Sequence, residues 1–311
     1  MKTRAPQRRP QAWRQIKRGW QLYVMLALPV LFLAVYHYWP MYGLQIAFKD
    51  FNVVDGITGS PWAGLKYLER FIDSYLFWPI VSNTLILNVY ELAVTFPLGV
   101  MLALGLNYMR LVWFRRTVQM VTYAPYFIST VVVVGMIFIL LDPNTGLLNF
   151  LLGTVGLEPV NVLGNPGFFR HIYVWSGAWQ NIGFAAIIYL AALTGIDPNL
   201  HEAAILDGAS KLRRIWHIDL PGIAPVAVIV LVLSMGNIFS VGFEKVLLLQ
   251  NPLNLEVSEV IDTYVYKIGL ASDIPQFSYA TAIGLFKSVL AFILLVTANR
   301  IARKFSSSSL W

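Results

Sequence analysis

The sequence predicts an all-α, polytopic membrane protein with six transmembrane helices. Three observations predict it: a scarcity of charge, long runs with no charge at all, and hydrophobicity that is continuous rather than alternating. Only 13% of the 311 residues are charged, about half the share expected of a soluble domain. Asp, Glu, Lys and Arg are absent from residues 20–48, 118–141, 171–196 and 220–243. A helix rises about 1.5 Å per residue, so each run can cross a hydrocarbon core of about 30 Å. Two more stretches tolerate a single charge, Glu91 within 76–109 and Lys287 within 277–299. A transmembrane barrel would need strands that alternate lipid-facing and lumen-facing residues, and runs such as VVVVGMIFILL do not alternate.

Taken in order, residues 1–20 form a basic segment with seven bases and no acid. The first span covers about 21–40. It reads as an uncleaved helix rather than a signal peptide, because YHYWPMYG follows it where cleavage needs small residues. Its aromatics suit a Trp/Tyr belt at the membrane boundary. The remaining spans cover about 76–109, 118–141, 170–196, 221–246 and 277–300, within a transmembrane domain over 21–305. Residues 306–311 are a polar tail. The intervening loops carry turn chemistry, GITGSPWAG at 56–64, LDPNTG at 141–146 and LGNPG at 163–167.

Charge sets the orientation. The termini and the loops 108–117 and 195–221 hold 16 bases, whereas loops 41–75, 142–168 and 250–276 hold four bases against ten acids. The positive-inside rule therefore places both termini and the 195–221 loop in the cytoplasm. The net charge of +7 reflects this topology; bases spread over four short segments do not form a nucleic-acid footprint. The absence of cysteine excludes disulfides and thiolate metal sites.

The segment HEAAILDGASKLRRIWHIDLP, His201 to Pro221, is polar between two apolar runs. Asp197-Pro198 reads as an N-cap followed by proline at the first helical position. Leu200, Ala203 and Ala204 fall on one side of the short helix this starts. Gly208 interrupts it, and a second short helix follows with Ala209, Leu212, Ile215 and Trp216 on one face and Lys211, Arg213 and Arg214 mostly opposite. Pro221 ends the unit and begins the next span. On pattern alone this is either a helix pair resting on lipid headgroups or a docking knob for a cytoplasmic partner.

The spacing Glu202-Ala203-Ala204, three residues, Gly208, nine residues, Ile218-Asp219-Leu220-Pro221 resembles the EAA loop of the permease subunits of binding-protein-dependent ABC importers. YWPMYGLQIAFKDF (38–51), GFEKVLLLQNP (242–252), EVIDTYVYKIGL (259–270) and FSYATAIGLFKSVL (277–290) resemble the polysaccharide and lipo-oligosaccharide branch of that family, and within it the first permease subunits of alginate importers. The resemblance implies the type I importer permease (MetI-like) fold. It implies that 197–221 is the coupling loop, with Glu202, Ala203, Ala204, Asp207, Gly208, Ile218, Leu220 and Pro221 seated against an ATPase. It also implies the partners: a second permease subunit, two cytoplasmic ATPase subunits, a periplasmic solute-binding protein and a saccharide, acidic if alginate-like, in the bacterial inner membrane. The chain has no Gly-Lys dipeptide and so no phosphate-binding P-loop. It is expected to bind no cofactor itself, with ATP and Mg²⁺ on the partner ATPases.

Glu91 and Lys287 lie at similar depth with opposite sign, and they are expected to pair, since ionisable groups at that depth face the bundle interior or water. Arg170 and Lys245 lie near outer helix ends. They read either as cations snorkelling to the interface or as an electropositive entrance for an acidic sugar. Tyr123, Tyr126, Trp175, Trp179, Tyr189 and Phe239 could stack on sugar rings, although belts and core packing explain most such aromatics. The rival readings are an ion-coupled secondary carrier, thinly supported by one mid-span carboxylate, and a scaffold that assembles a complex without lining a path. No HExxH or GxSxG motif suggests an enzyme.

Overall fold

The computed structural model describes residues 19–240 and 242–305. Most of the basic segment and the whole polar tail fall outside these residues. Among the described residues there is no β-strand beyond one isolated bridge, Lys49 to Trp62. Five helices among the described residues are long and apolar enough to cross a membrane, or six spans if one sharply bent pair counts as one.

Helix α1, Trp20–Phe48, tightens through a π turn into 3₁₀ geometry at Trp39–Phe48. The short helix α2, Lys66–Ile72, follows. Helix α3 spans Phe77–Tyr108, and α4 spans Val112–Tyr123. The run expected to be one straight span over 118–141 is broken. A 3₁₀ turn at Ala124–Phe127, built on Pro125, and an extended Ile128 end α4. Ser129 then caps a new helix α5, Thr130–Leu141, by accepting a hydrogen bond from Val132 N, and α5 leaves at 101° to the first half. Proline removes a backbone donor and a capping serine supplies an acceptor, so the break is written in the chain. The short α6, Leu147–Thr154, leads to α7, Pro166–Thr194, which starts at a proline after an Asn165 cap.

Residues 197–221 open with α8, Pro198–Leu206, with Asp197 Oδ1 accepting from Asn199 N at 3.0 Å. Gly208 has φ +75°. Gly208 N donates to Ile205 O and Ala209 N to Ala204 O, the paired bonds of a Schellman helix end, whose left-handed residue is normally glycine. Ser210 then caps α9, Lys211–Gly236. Here the expectation of a second free surface helix ended by Pro221 is corrected. The backbone passes through a π turn at Ile215–Asp219 straight into the span. Pro221 is tolerated because it sits where a new helical stretch begins. The span expected to reach 246 stops at Gly236. Residues 237–240 and 242 are not helical, and the short α10, Phe243–Leu249, follows. Helix α11, Ile261–Gly269, and the last span α12, Phe277–Phe305, complete the chain.

Four apolar clusters hold the bundle together. One joins α3, α5, α7 and α10 through Leu87, Val133, Val174 and Val246. Another joins α2, α3, α11 and α12 through Phe71, Ile80, Ile261 and Ile283. Gly183 marks the tightest helix approach: a Cβ there would stand 2.0 Å from the Thr122 carbonyl oxygen. Helix α1 has no buried residue across its most apolar stretch. Hydrogen bonds also group the loops by end. Ser278 bridges Lys49 O and Phe51 N, and Asn83 donates to Glu256 O. At the opposite end Tyr108 donates to Asp219. These are the loop groupings that the charge count assigns to opposite sides.

Candidate functional site

The segment 197–221 is attached to the span behind it. Asp219 is fully buried and accepts a hydrogen bond from the Tyr108 hydroxyl at 2.6 Å. His201 Nε2 stands 3.3 Å from Asp219 Oδ1, close enough for an ion pair but off hydrogen-bond alignment. The Arg214 guanidinium lies over the Tyr108 ring, 5.6 Å from its centroid. Helix α8, the foot of α9 and the end of α3 therefore meet on one buried carboxylate. Glu202, Ala203, Asp207 and Gly208 are exposed, with Ala204 half-buried. Ile205 and Leu206 extend this face as apolar residues, Leu206 at 88% exposure. An apolar, glycine-bent knob with acidic edges is what a separate protein can grip. Ile218 and Leu220 are half-buried within α9 and Pro221 is exposed on it, so these three belong to the rod behind the knob and not to the knob itself.

The expected Glu91–Lys287 pair does not form. Lys287 Nζ bonds the Asp262 carboxylate on α11. Glu91 faces Lys245 from α10: a Cβ on Gly177 would stand 3.1 Å from Glu91 Oε1 and 3.2 Å from Lys245 Nζ. Depth along a helix does not fix which way a side chain turns around it, and each charge found a partner on a short helix that the sequence reading treated as loop or continuous span. Lys245 is 7% exposed and donates to Tyr173 O at 2.9 Å, with its charge over the Tyr173 ring. The Tyr173 hydroxyl lies beside Glu91 and accepts from Gly242 N. Lys245 thus neither snorkels nor stands free at an entrance. Arg170 is likewise engaged, donating to Asn83 Oδ1 at 2.9 Å, while Asn83 holds the carbonyls of Glu256 and Glu259.

Two polar cavities meet at Glu91 and Ser240. One, of about 420 Å³, is lined by Thr130, Gln180, Asn181, Ser240 and Glu244 among others. The other, of about 230 Å³, is lined by Asn88, Thr95, Ser234 and Asn237 among others. Charge counting missed these residues. The signal that finds them is the presence of Asn and Gln inside apolar runs, where an amide needs a hydrogen-bonding partner or a polar cavity. None of the six aromatics singled out from the sequence lines either cavity. Tyr189 and Phe239 are core residues at 2% and 3% exposure, and Tyr126 stacks on Phe184 at 4.0 Å. At the opposite end of the bundle from Tyr108, outside the spans, Lys66 and Tyr67 both donate to Asp50 Oδ1. Lys66 first and Tyr67 second hold the Asp50 carboxyl below its ordinary range.

A bent knob rooted on a spanning rod, in a bundle with a polar chamber at mid-depth, defines an integral membrane transport subunit. The profile of the family described as binding-protein-dependent transport system inner membrane component matches residues 95–307. The polygalacturonan/rhamnogalacturonan transport system permease protein YteP of Bacillus subtilis (strain 168) is 43% identical over 290 residues, covering 93% of this chain and 90% of that protein. The crystal structure of a bacterial ABC transporter involved in the import of the acidic polysaccharide alginate superposes with a TM-score of 0.88 at 38% identity, over 96% of this chain and 100% of that chain. A structure of bacterial alginate ABC transporter in complex with alginate pentasaccharide-bound periplasmic protein superposes with a TM-score of 0.88 at 37% identity, over 96% of this chain and 99% of that chain. The chain belongs to the binding-protein-dependent ABC importer permeases.

Proposed function

We propose that this permease carries oligo- or polysaccharide containing uronic acids across a bacterial inner membrane, with both termini and the α8 knob in the cytoplasm. The names of the similar permease and importers, which handle pectic and alginate chains, support the substrate class. The chamber lining supports a sugar in general: Asn88, Asn181, Gln180, Thr95, Ser234 and Ser240 offer donors and acceptors for hydroxyls, in a setting where unpaired polar groups are costly. The proposed partners are a second permease subunit, two ATPase subunits that bind ATP and Mg²⁺, and a solute-binding protein on the outer side.

The observation that carries the coupling role is the buried Asp219 node, which ties knob, rod and α3 together. A push on α8 from an ATPase reaches α9 without slack, and the far end of α9 bears Ser234, with Asn237 just beyond it, at the chamber. The chain itself moves by helix displacement; the chemistry of ATP belongs to the partners.

Affinity purification from membranes with mass spectrometry, followed by uptake in proteoliposomes, tests this. The expected result is co-purification of an ATPase and a second permease, and ATP-dependent uptake of oligogalacturonate or oligoalginate. Recovery of the chain without an ATPase, or uptake driven by an ion gradient alone, overturns it.

A further inference from the structure

The break between α4 and α5 leaves one backbone carbonyl without its helical donor. In a continuous helix Val132 N would serve Ile128 O, four residues back. Here Ile128 is extended, and Val132 N is given to the Ser129 hydroxyl. At membrane depth a backbone carbonyl must find its partner within the protein. Gln180 on α7 supplies the donor: its Nε2 stands 2.8 Å from Ile128 O.

The same side chain lines the cavity of about 420 Å³, and so does Thr130, the first residue of α5. The break is held against α7 at two further points. Tyr126 stacks on Phe184 at 4.0 Å, and the Thr122 backbone closes on Gly183. Neither of those pairs lines the chamber. Gln180 is thus the point of this seam that both holds the break and faces the chamber.

We propose that Gln180 is a positioning residue that senses cargo: a sugar hydroxyl bonds its amide, and that bond firms the α4–α5 break. A carboxamide carries two N–H donors and a carbonyl acceptor, so Nε2 keeps Ile128 O while the rest of the amide meets the chamber. The tether fixes in advance a side chain that would otherwise lose much rotamer freedom on binding. A hydroxyl donating to Oε1 in turn polarises the amide and strengthens its bond to Ile128 O. Such coupling is reciprocal: what the tether gives to sugar affinity, the sugar returns to the break. This role rests on a saccharide entering the chamber, as proposed above.

Double electron–electron resonance in the reconstituted assembly tests it, with the other subunits stripped of cysteine. Spin labels at Arg116→Cys and Asn144→Cys, both exposed, one near the start of α4 and the other beyond the end of α5, report the angle at the break. The probe is oligogalacturonate or oligoalginate, whichever the wild type imports. It should narrow the wild-type distance distribution. Gln180→Met keeps the length of the side chain and removes the amide, so its distribution should stay broad at saturating probe. Asn181→Leu removes a neighbouring lining amide whose own bond runs to Gly177 O within α7. It should raise the KM for uptake about fivefold, the worth of one hydrogen bond, and keep the narrowing at saturation. Narrowing that survives in Gln180→Met overturns the proposal. So does a wild-type distribution that the sugar leaves unchanged in proteoliposomes that import it. Absence of wild-type uptake of either sugar strikes the substrate reading itself, and this role with it. Should Gln180→Met not fold, hydrogen exchange of the wild type carries the test: the sugar should slow exchange across residues 124–133, and unchanged exchange overturns the role.

Discussion

Lys245 is buried inside the bundle with Glu91, the Tyr173 carbonyl and the Tyr173 ring all facing it. Removing one member of such a set leaves the other charge unmatched, at a cost of about 3–5 kcal/mol. Lys245→Ala should therefore lower folded yield sharply, while Glu91→Gln with Lys245→Met should recover much of it in a detergent thermal-shift assay. Exchanging the charges of Glu91 and Lys287 should rescue nothing, whereas exchanging those of Lys287 and Asp262 should. Glycines give a graded test. Gly183→Ala drives a methyl into backbone at 2.0 Å and should be the most damaging; Gly177→Ala meets flexible charged tips at 3.1 and 3.2 Å and should cost about 1–3 kcal/mol. Gly284→Ala meets nothing within 4 Å and should gain about 0.5–1 kcal/mol of helix preference. Asp50 provides the pH test. Its folded-state pKa lies below the ordinary 3.8, so the stability it contributes is complete above that value and is lost as pH falls through the depressed one. The difference in melting temperature between wild type and Asp50→Asn should be constant near neutrality and vanish only in acid below about pH 4. The depth of the mid-span charges was legible in the sequence. Their partners were not, because rotation about a helix and the approach of short side helices are set by packing.

At the scale of elements, the bent knob was legible because its instructions are local: Asp197 and Pro198 start α8, Gly208 stops it, and Ser210 starts α9. Substituting Gly208 by Val forces a β-branched residue into φ +75°, costing about 1–2 kcal/mol. Gly208→Asn, which tolerates that region, should retain most ATPase-coupled uptake, while Gly208→Val should uncouple it with the chain still present in membranes. Equal uptake by the two variants would remove the bend from the mechanism. The broken third span and the shortened fifth were misread for one reason. Charge-free length is a sound guide to what can enter a membrane, but it carries no information on where a helix stops. Pro125 with Ser129, and Asn237 with Gly242, were the local signals, and they are ordinary residues inside apolar runs. The π turn at Ile215–Asp219 left no signal in the periodicity, so a surface helix and its following span looked separate.

For the molecule as a whole, each of the two sets of loops assigned by charge to opposite sides has a hydrogen bond between its own members, Asn251 to Leu163 in one and Tyr108 to Asp219 in the other. The sequence contains no cysteine, so single introduced cysteines report sidedness without background. A cysteine at Ser210 should resist an impermeant maleimide in intact spheroplasts and react after lysis, and one at Thr58 should react in both; the reverse pattern would invert the topology. The unbroken course of α9 has a mechanical consequence. Its 26 residues make a rod of about 39 Å. A tilt of about ten degrees imposed at its basic foot sweeps the opposite tip through about 7 Å, more than a helical turn's rise. That tip carries Ser234 and is followed by Asn237, both lining the cavity that Glu91 also lines. Under the proposed coupling, small closures by a motor at one membrane face would be geared up into displacements wide enough to open or shut a sugar-sized passage at the other end of a single lever.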